Sequence, residues 1–156
     1  DPEKIKKYYK NPEVTSQTTF AKFDDLRKDW LGAKLNSVTM PAKGSFDKNS
    51  AIKRAAVSGL NKYYGKMSMQ NIYQYMTSNR WSTVKHRVTG VPLYQWAVGA
   101  VVQKNTGGKC MLQQFIVRKD YTGGGKYGSP FFNGINRASV RAPYGGYVKC
   151  NAKPKN

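Results

Sequence analysis

The clearest periodic pattern in the chain is an apolar stripe that predicts an amphipathic helix over residues 50–66. Its members are Ile52, Ala56, Leu60, Tyr63 and Met67. They recur at intervals of three or four residues, which places them on one side of a helix and buries that side against a core. Basic residues occupy much of the remaining helix surface. We therefore expect this helix to form one layer of the fold.

Weaker helical spacing on either side of this stripe predicts two further helices. Over residues 18–31, aromatic and leucine side chains fall near helical spacing, with charged residues on the other faces. Over residues 68–79, Met69, Ile72 and Met76 repeat in the same way after Ser68, which can cap a helix. Residues 1–17 are basic and form an N-terminal arm or a short helix ahead of these elements.

From Trp81 onward the period changes from 3.6 towards 2, which predicts strands. Valines alternate with Thr83, Lys85 and Arg87 in the first of them. Residues 105–108 contain two glycines where positive φ is needed, so they predict a hairpin between two longer strands. The later strands are expected at 93–103, 110–118, 135–141 and 144–150. Together they predict an antiparallel sheet over about residues 81–150.

Helices followed by an antiparallel sheet are typical of the α+β class, and the length suits one domain over residues 18–156. In its order of elements the chain resembles nuclear-transport-factor-2-like domains. That resemblance implies a cone-like arrangement in which the N-terminal helices lean on a curved sheet. It implies nothing about function, because one fold serves many functions.

The charge distribution restricts the kind of partner. The net charge is +19, and from Lys48 to Asn156 one carboxylate, Asp120, faces eighteen Lys and Arg. Hydrophobic content of 39% is too high for a disordered basic tail, so a folded domain must tolerate this self-repulsion. Such an excess is typical of proteins that attract a polyanion. No apolar run approaches the roughly eighteen residues needed to span a bilayer.

Two cysteines, Cys110 and Cys150, each lie in a predicted strand. An even count in one sheet favours a disulfide, with two reduced, buried thiols as the alternative. If the disulfide forms, we expect an exported protein, periplasmic or secreted. One histidine, two cysteines and few carboxylates do not supply a zinc site or a calcium cage, so we expect no metal and no cofactor.

Candidate catalytic residues are few. The sequence Lys85-His86-Arg87 suggests a ribonuclease, in which the imidazole acts as general base and cations stabilise the charged phosphate. Strand alternation places His86 on one face with Val84 and Val88, which favours a buried core histidine instead. Carboxylate chemistry is disfavoured because the adjacent pair at residues 24–25 lies among the charges of a predicted helix surface.

A glycine-rich segment at residues 121–129 contains a Gly-Lys pair at Gly125 and Lys126. Tyr127 follows where a Walker A loop requires Ser or Thr, so nucleotide hydrolysis is not indicated. Either the segment is a plain loop between strands, or its successive backbone N–H groups form a nest for an anion.

Basic residues next to aromatic residues supply the remaining signal for a binding surface. The predicted polyanion-binding cations are Lys53, Arg54, Lys62, Lys66, Lys85, Arg87, Arg118, Lys119 and Lys126. The predicted aromatic platforms are Tyr64, Trp81, Tyr121 and Tyr127. Cations attract phosphates without sequence preference, and exposed rings stack on bases.

Three functions fit these observations. The first is a non-enzymatic module that binds nucleic acid or another polyanion. The second is an extracytoplasmic scaffold or adaptor subunit of an envelope or secretion assembly, whose basic surface meets an acidic protein or an anionic membrane. The third is a small, metal-independent basic ribonuclease or toxin domain. The charge distribution favours the first.

Overall fold

A computed structural model describes residues 24–30, 35, 38–137 and 143–155. The chain divides into two compact units, Asp1–Ser37 and Val38–Asn156. In the first unit, residues 24–30 are helical, as predicted for that part of 18–31. The rest of that predicted helix, the arm at 1–17 and the domain boundary between 17 and 18 lie outside the described residues.

The second unit has the α+β architecture that the sequence predicts. Its helices, a 3-10 helix at Ser45–Lys48 and the main helix at Ser50–Gly65, precede its sheet. The strands are β1 Gln70–Met76, β2 Ser82–Lys85, β3 Pro92–Lys104, β4 Cys110–Gly123, β5 Lys126–Tyr127, β6 Phe131–Ile135 and β7 Tyr147–Val148. The cone-like arrangement stays a prediction.

The main helix confirms the prediction for residues 50–66, with one shift in its buried stripe. The Asn49 side chain accepts hydrogen bonds from the N–H groups of Ala51 and Ile52, which satisfies two donors of the first turn. The buried positions are Ile52, Ala56, Leu60 and Tyr64. The four-residue spacing thus continues to Tyr64 instead of Tyr63, and Met67 lies beyond the helix.

The sheet is built on the long hairpin of β3 and β4, which pair from Tyr94 opposite Asp120 to Lys104 opposite Cys110. The turn at residues 105–108 places Gly108 at a φ of 79°, as its sequence predicts. β1 and β2 pair with β3, whereas β5, β6 and β7 pair with β4. Every one of these pairings is antiparallel.

Each face of the sheet has its own apolar core. The main helix packs on the first face, over Ala97, Val101, Phe115 and Val117. The second core contains Met40, Tyr75, Ala100, Val102, Cys110, Leu112 and Val148. On the first face, a Cβ at Gly59 would overlap the side chain of Phe132, so glycine lets the helix approach β6 closely.

The helix predicted at 68–79 is wrong, because residues 70–76 form β1. At the end of β1, Tyr75 belongs to the second core and Met76 to the first. A strand that is buried on both faces loses its two-residue alternation, and its apolar spacing then imitates a helix. The strand predicted at 135–141 is displaced, because β6 covers Phe131–Ile135 and ends at Ile135. Residues 138–142 lie outside the described residues. The strand predicted at 144–150 is reduced to β7, Tyr147–Val148.

Candidate functional site

A disulfide joins Cys110 to Cys150, which confirms the predicted pairing. Cys110 begins β4 and pairs with Val148 of β7, so Cys150, two residues later, lies close to it. The two Cα atoms are 5.2 Å apart, within the range that a disulfide spans. The bond fastens the C-terminal segment to the sheet at the second core.

The unit Val38–Asn156 carries nineteen Lys and Arg against two carboxylates. Asp47 forms ion pairs with Lys43 at 3.8 Å and Lys53 at 3.6 Å. Asp120 pairs with Arg118 at 2.6 Å. Among the described residues of this unit, these are the ion pairs that form, so most of its positive charge has no carboxylate beside it.

Lys119 lies between two aromatic rings at the end of β4. Its Nζ is 4.5 Å from the ring centre of Trp81 and 5.1 Å from that of Tyr127, in cation–π geometry. Tyr121 contacts Tyr127 with ring centres 5.4 Å apart. We call Lys119, Trp81, Tyr121 and Tyr127 the Lys119 cluster. Burial lowers the pKa of Lys119 below its usual value.

Arg118 lies on the opposite face of the sheet from this cluster. Neighbouring residues of a strand point to opposite faces, so Arg118 shares a face with Tyr94 and Asp120. Its guanidinium carbon is 3.9 Å from the ring centre of Tyr94, and its Nε donates to the Asp120 carboxylate. The sequence places Arg118 and Lys119 in one predicted patch, but the structure puts them on opposite faces of the sheet.

The glycine segment forms a tight hairpin turn. Gly124 and Gly125 occupy its two central positions with φ of 56° and 75°, the left-handed values that a type I′ turn requires. The N–H of Gly125 donates to the Tyr121 hydroxyl at 3.0 Å. Because that donor is already bonded, the turn does not favour an anion nest. Lys126, the next residue, is exposed.

The main helix presents its cations in two different settings. Arg54, Lys62 and Lys66, which directly follows the helix, are exposed, whereas the amine of Lys53 is held near Asp47. Lys62 and Lys66 line a groove of about 420 Å³ between the helix and β6. Its lining residues are Ala55, Ser58, Gly59, Lys62, Tyr63, Lys66, Pro130, Phe131 and Phe132.

Aromatic rings and a further cation complete the groove. Tyr63 contacts Phe132 edge-on with ring centres 5.8 Å apart, and Phe131 is 40% exposed. Nη2 of Arg137 donates to the Tyr63 hydroxyl at 3.1 Å, which places the guanidinium beside the groove. Sequence reasoning missed Arg137 and both phenylalanines. The one available signal was the adjacent pair Phe131-Phe132. Only one of two neighbouring strand residues can face a given core, so the other phenylalanine has to lie on the opposite face.

Tyr64 does not fit its predicted role as an exposed platform. It is 1% exposed and belongs to the core beneath the main helix. Its hydroxyl donates to Oε1 of Gln113 at 2.5 Å, and burial raises its pKa. The prediction of an accessible ring at this position is wrong, because the buried stripe of the helix runs through Tyr64.

The predicted burial of His86 is also wrong. β2 ends at Lys85, so His86 and Arg87 lie in an exposed hairpin turn. Nδ1 of His86 accepts hydrogen bonds from the N–H groups of Thr89 at 3.2 Å and Val88 at 3.4 Å. The turn continues through backbone bonds that His86 forms with Gly90 and Val91. The imidazole therefore caps the turn.

Replacing His86 by Ala is expected to lower the free energy of unfolding by about 0.5–1.5 kcal/mol, since an acceptor for turn N–H groups is lost. His86→Asn keeps a side-chain oxygen that can accept from the same turn, so it should lose less. Urea denaturation of both variants measures the difference. Loss of a nucleic-acid-cleaving activity in His86→Ala at unchanged stability would contradict the structural role.

Comparison with protein-family models, curated proteins and solved structures finds no match to this chain. Within the described residues, no group of three His, Cys, Asp or Glu side chains could hold a metal ion. No helix in the described part of the chain is long and apolar enough to cross a membrane.

Proposed function

We propose that the chain is a non-enzymatic module that binds a polyanion, with nucleic acid as its ligand. The observation that carries this proposal is the imbalance of nineteen cations and two carboxylates in the folded unit Val38–Asn156. The positive charges of such a domain repel one another. A bound polyanion neutralises them and releases its own condensed counterions, and both effects favour binding. Nucleic acid supplies closely and evenly spaced phosphates for that purpose.

The exposed cations suit contacts to phosphate more than contacts to bases. Among the cations that the sequence predicts for binding, those that are exposed without a carboxylate beside them are Arg54, Lys62, Lys66, Lys85, Arg87 and Lys126. In the Lys119 cluster, the rings of Trp81 and Tyr127 already carry a cation, so a base would have to displace Lys119 to stack there. We infer that this cluster supports Lys119 as a phosphate contact. Such binding is independent of sequence.

The test is a titration with single-stranded DNA, duplex DNA and a non-nucleic polyanion such as polyphosphate over a series of salt concentrations. The proposal requires binding that weakens linearly in log–log form as salt increases. Absence of binding to all three at low salt would contradict it.

One observation favours the second candidate, an extracytoplasmic adaptor that meets an anionic membrane. The turn between β2 and β3 exposes Val88 to 87%, and Val91 and Leu93 are exposed beside it. Lys85 and Arg87 flank these side chains. Exposed apolar residues among cations are typical of segments that enter the headgroup region of anionic lipids. The disulfide is compatible with export, and we propose a periplasmic or secreted location.

If this turn enters membranes, the chain should sediment with phosphatidylserine-containing vesicles and not with pure phosphatidylcholine vesicles. Val88→Asp should reduce that binding by about tenfold or more, because it sets a charge in the apolar contact and repels the lipid. The control must add a negative charge at an exposed position, which excludes Val57→Asp because Val57 is partly buried in the main helix. Thr106→Asp, in the exposed β3–β4 turn, adds the same charge elsewhere and should have a smaller effect.

The ribonuclease alternative stays a hypothesis. His86 is exposed, but its Nδ1 accepts hydrogen bonds from the turn, so in the neutral imidazole Nε2 carries the proton and does not serve as a free general base. A ribonuclease would also need a second group near the scissile phosphate. Incubation with RNA in the presence of a chelator tests this alternative.

A further inference from the structure

The second face of the sheet carries apolar side chains beyond the reach of its core. The second core occupies the part of β3 and β4 near the disulfide, from Ala100 to Leu112. Further along both strands and on β6, register and strand alternation place another group of side chains on the same face. As far as the structure describes the chain, this group belongs to neither core. We call Tyr94, Trp96, Val98, Ile116, Arg118 and Phe131 the Phe131 face.

The Phe131 face carries two rings that a ligand can reach. Arg118 of β4 pairs with Phe131 of β6 on one side and with Trp96 of β3 on the other. Phe131 is 40% exposed, and Trp96 is partly exposed. Among the described residues, neither ring carries a cation or contacts another ring, in contrast to Trp81 and Tyr127. A flat apolar group can therefore cover these rings without displacing a cation.

The Arg118 cation is already occupied. Its guanidinium carbon lies 3.9 Å from the centre of the Tyr94 ring, and its Nε donates to Asp120 at 2.6 Å. This ion pair is close to neutral, so it attracts phosphate poorly. Lys126 supplies charge instead, because it is exposed and, as the strand neighbour of Tyr127, points away from the Lys119 cluster towards the side of the Phe131 face.

The charge of the unit Val38–Asn156 selects the occupant of this face. Nineteen Lys and Arg against two carboxylates favour an anionic ligand over a second copy of the chain, which would bring the same positive charge. The rings narrow the choice among anionic ligands. Every base of a nucleic acid has a flat π-face that can stack on an aromatic side chain, and its backbone carries the phosphates that cations attract.

We propose that the Phe131 face stacks unpaired bases of a single-stranded nucleic acid, with one base on Phe131 and a second on Trp96. This inference rests on the proposed function and makes it more specific. Aromatic side chains on the face of an antiparallel sheet are a known means of holding single-stranded bases. Duplex DNA is the poorer ligand, because a paired base must leave its stack before it reaches the rings. Preference for single strands therefore follows from the rings and not from charge.

The test compares a short oligothymidylate with an abasic strand of the same length, so that the number of phosphates is equal. At equal salt, the chain should bind the oligothymidylate at least roughly 5- to 150-fold more tightly, the contribution of one stacked base. Phe131→Ala should reduce this ratio by a factor in the same range and leave affinity for the abasic strand and for duplex DNA unchanged. Phe131→Trp keeps a flat ring and should retain the ratio.

The matched control is Tyr147→Ala, since Tyr147 is a strand aromatic of similar exposure, 44%, outside the Phe131 face. It should leave the ratio between the two strands unchanged. Lys126→Ala separates charge from stacking. It should reduce the salt slope by roughly 0.7 for both strands, the value for one single-strand phosphate, and leave their ratio unchanged.

Each outcome has a defined meaning. Equal binding of the base-bearing and abasic strands, or a ratio that Phe131→Ala does not change, would overturn this inference and leave the polyanion proposal standing. Failure to bind either strand, or polyphosphate, would overturn the polyanion proposal itself. A dimer in sedimentation without ligand, lost in Phe131→Ala, would assign the face to a second copy of the chain and would also overturn the inference.

Discussion

Raising the salt concentration from about 50 to 200 mM is expected to weaken binding to single-stranded DNA by roughly 50- to 350-fold. The range corresponds to four to six phosphates, each contributing about −0.7 to the slope of log K against log salt for a single strand. It follows from the number of exposed cations without a carboxylate beside them. Fluorescence anisotropy over a salt series measures the slope.

Two positions on the main helix provide a matched test of the same prediction. Replacing Lys62 by Ala should reduce the slope by about 0.7, the value for one contact to a single-strand phosphate. Replacing Lys53 should reduce it less, because Asp47 lies 3.6 Å from the Lys53 amine and offsets its charge. A shallow slope, or tight binding at about 0.5 M salt where the Debye length is near 4 Å, would exclude charge as the main attraction. The domain would then be a protein-binding scaffold.

The elements that the sequence predicts correctly are those with long, one-sided patterns. The main helix buries one stripe, and its cap at Asn49 marks where it starts. The β3–β4 hairpin is identified by its glycine turn. β1 was missed because Tyr75 and Met76 face different cores, so no single periodicity describes it. Burial on both faces is a property of the tertiary structure.

The candidate site was predictable residue by residue but not as an assembly. Exposure of Lys62, Lys66 and Lys126 follows from charge alone. The groove does not, since it needs β6 to lie beside the main helix, and its contact from Arg137 to Tyr63 joins residues 74 positions apart. Strand alternation, by contrast, could have separated Arg118 from Lys119 in advance.

His86 shows how a local turn overrides a strand pattern. The alternation of Val84, His86 and Val88 predicts one continuous strand, yet β2 ends at Lys85. Gly90, at a φ of 70°, and Pro92 lie close behind and turn the chain back towards β3. Val88 is consequently at the tip of the turn and exposed instead of buried.

Removing the disulfide with Cys110→Ala/Cys150→Ala is expected to lower the free energy of unfolding by roughly 4 kcal/mol, from the chain-entropy cost of closing a loop of this length. The two cysteines are 40 residues apart, so the bond closes a long loop. A loss of that size is a large part of the roughly 5–15 kcal/mol that stabilises a typical domain. Urea denaturation under oxidising conditions measures it, and the wild type under reducing conditions should approach the variant.

The location of the bond determines which part of the fold loosens first. Cys110 belongs to the second core, where Val148 of β7 pairs with it, while the main helix and the groove lie on the first face. Amides that join the C-terminal segment to β4, such as the N–H of Leu112 bonded to Gly146, should exchange faster in the variant. Binding of oligothymidylate should change little wherever the variant is still folded. Equal stability of variant and wild type would contradict this role. A large loss would mean that the fold gains much of its stability from an oxidising compartment, which is compatible with the proposed export.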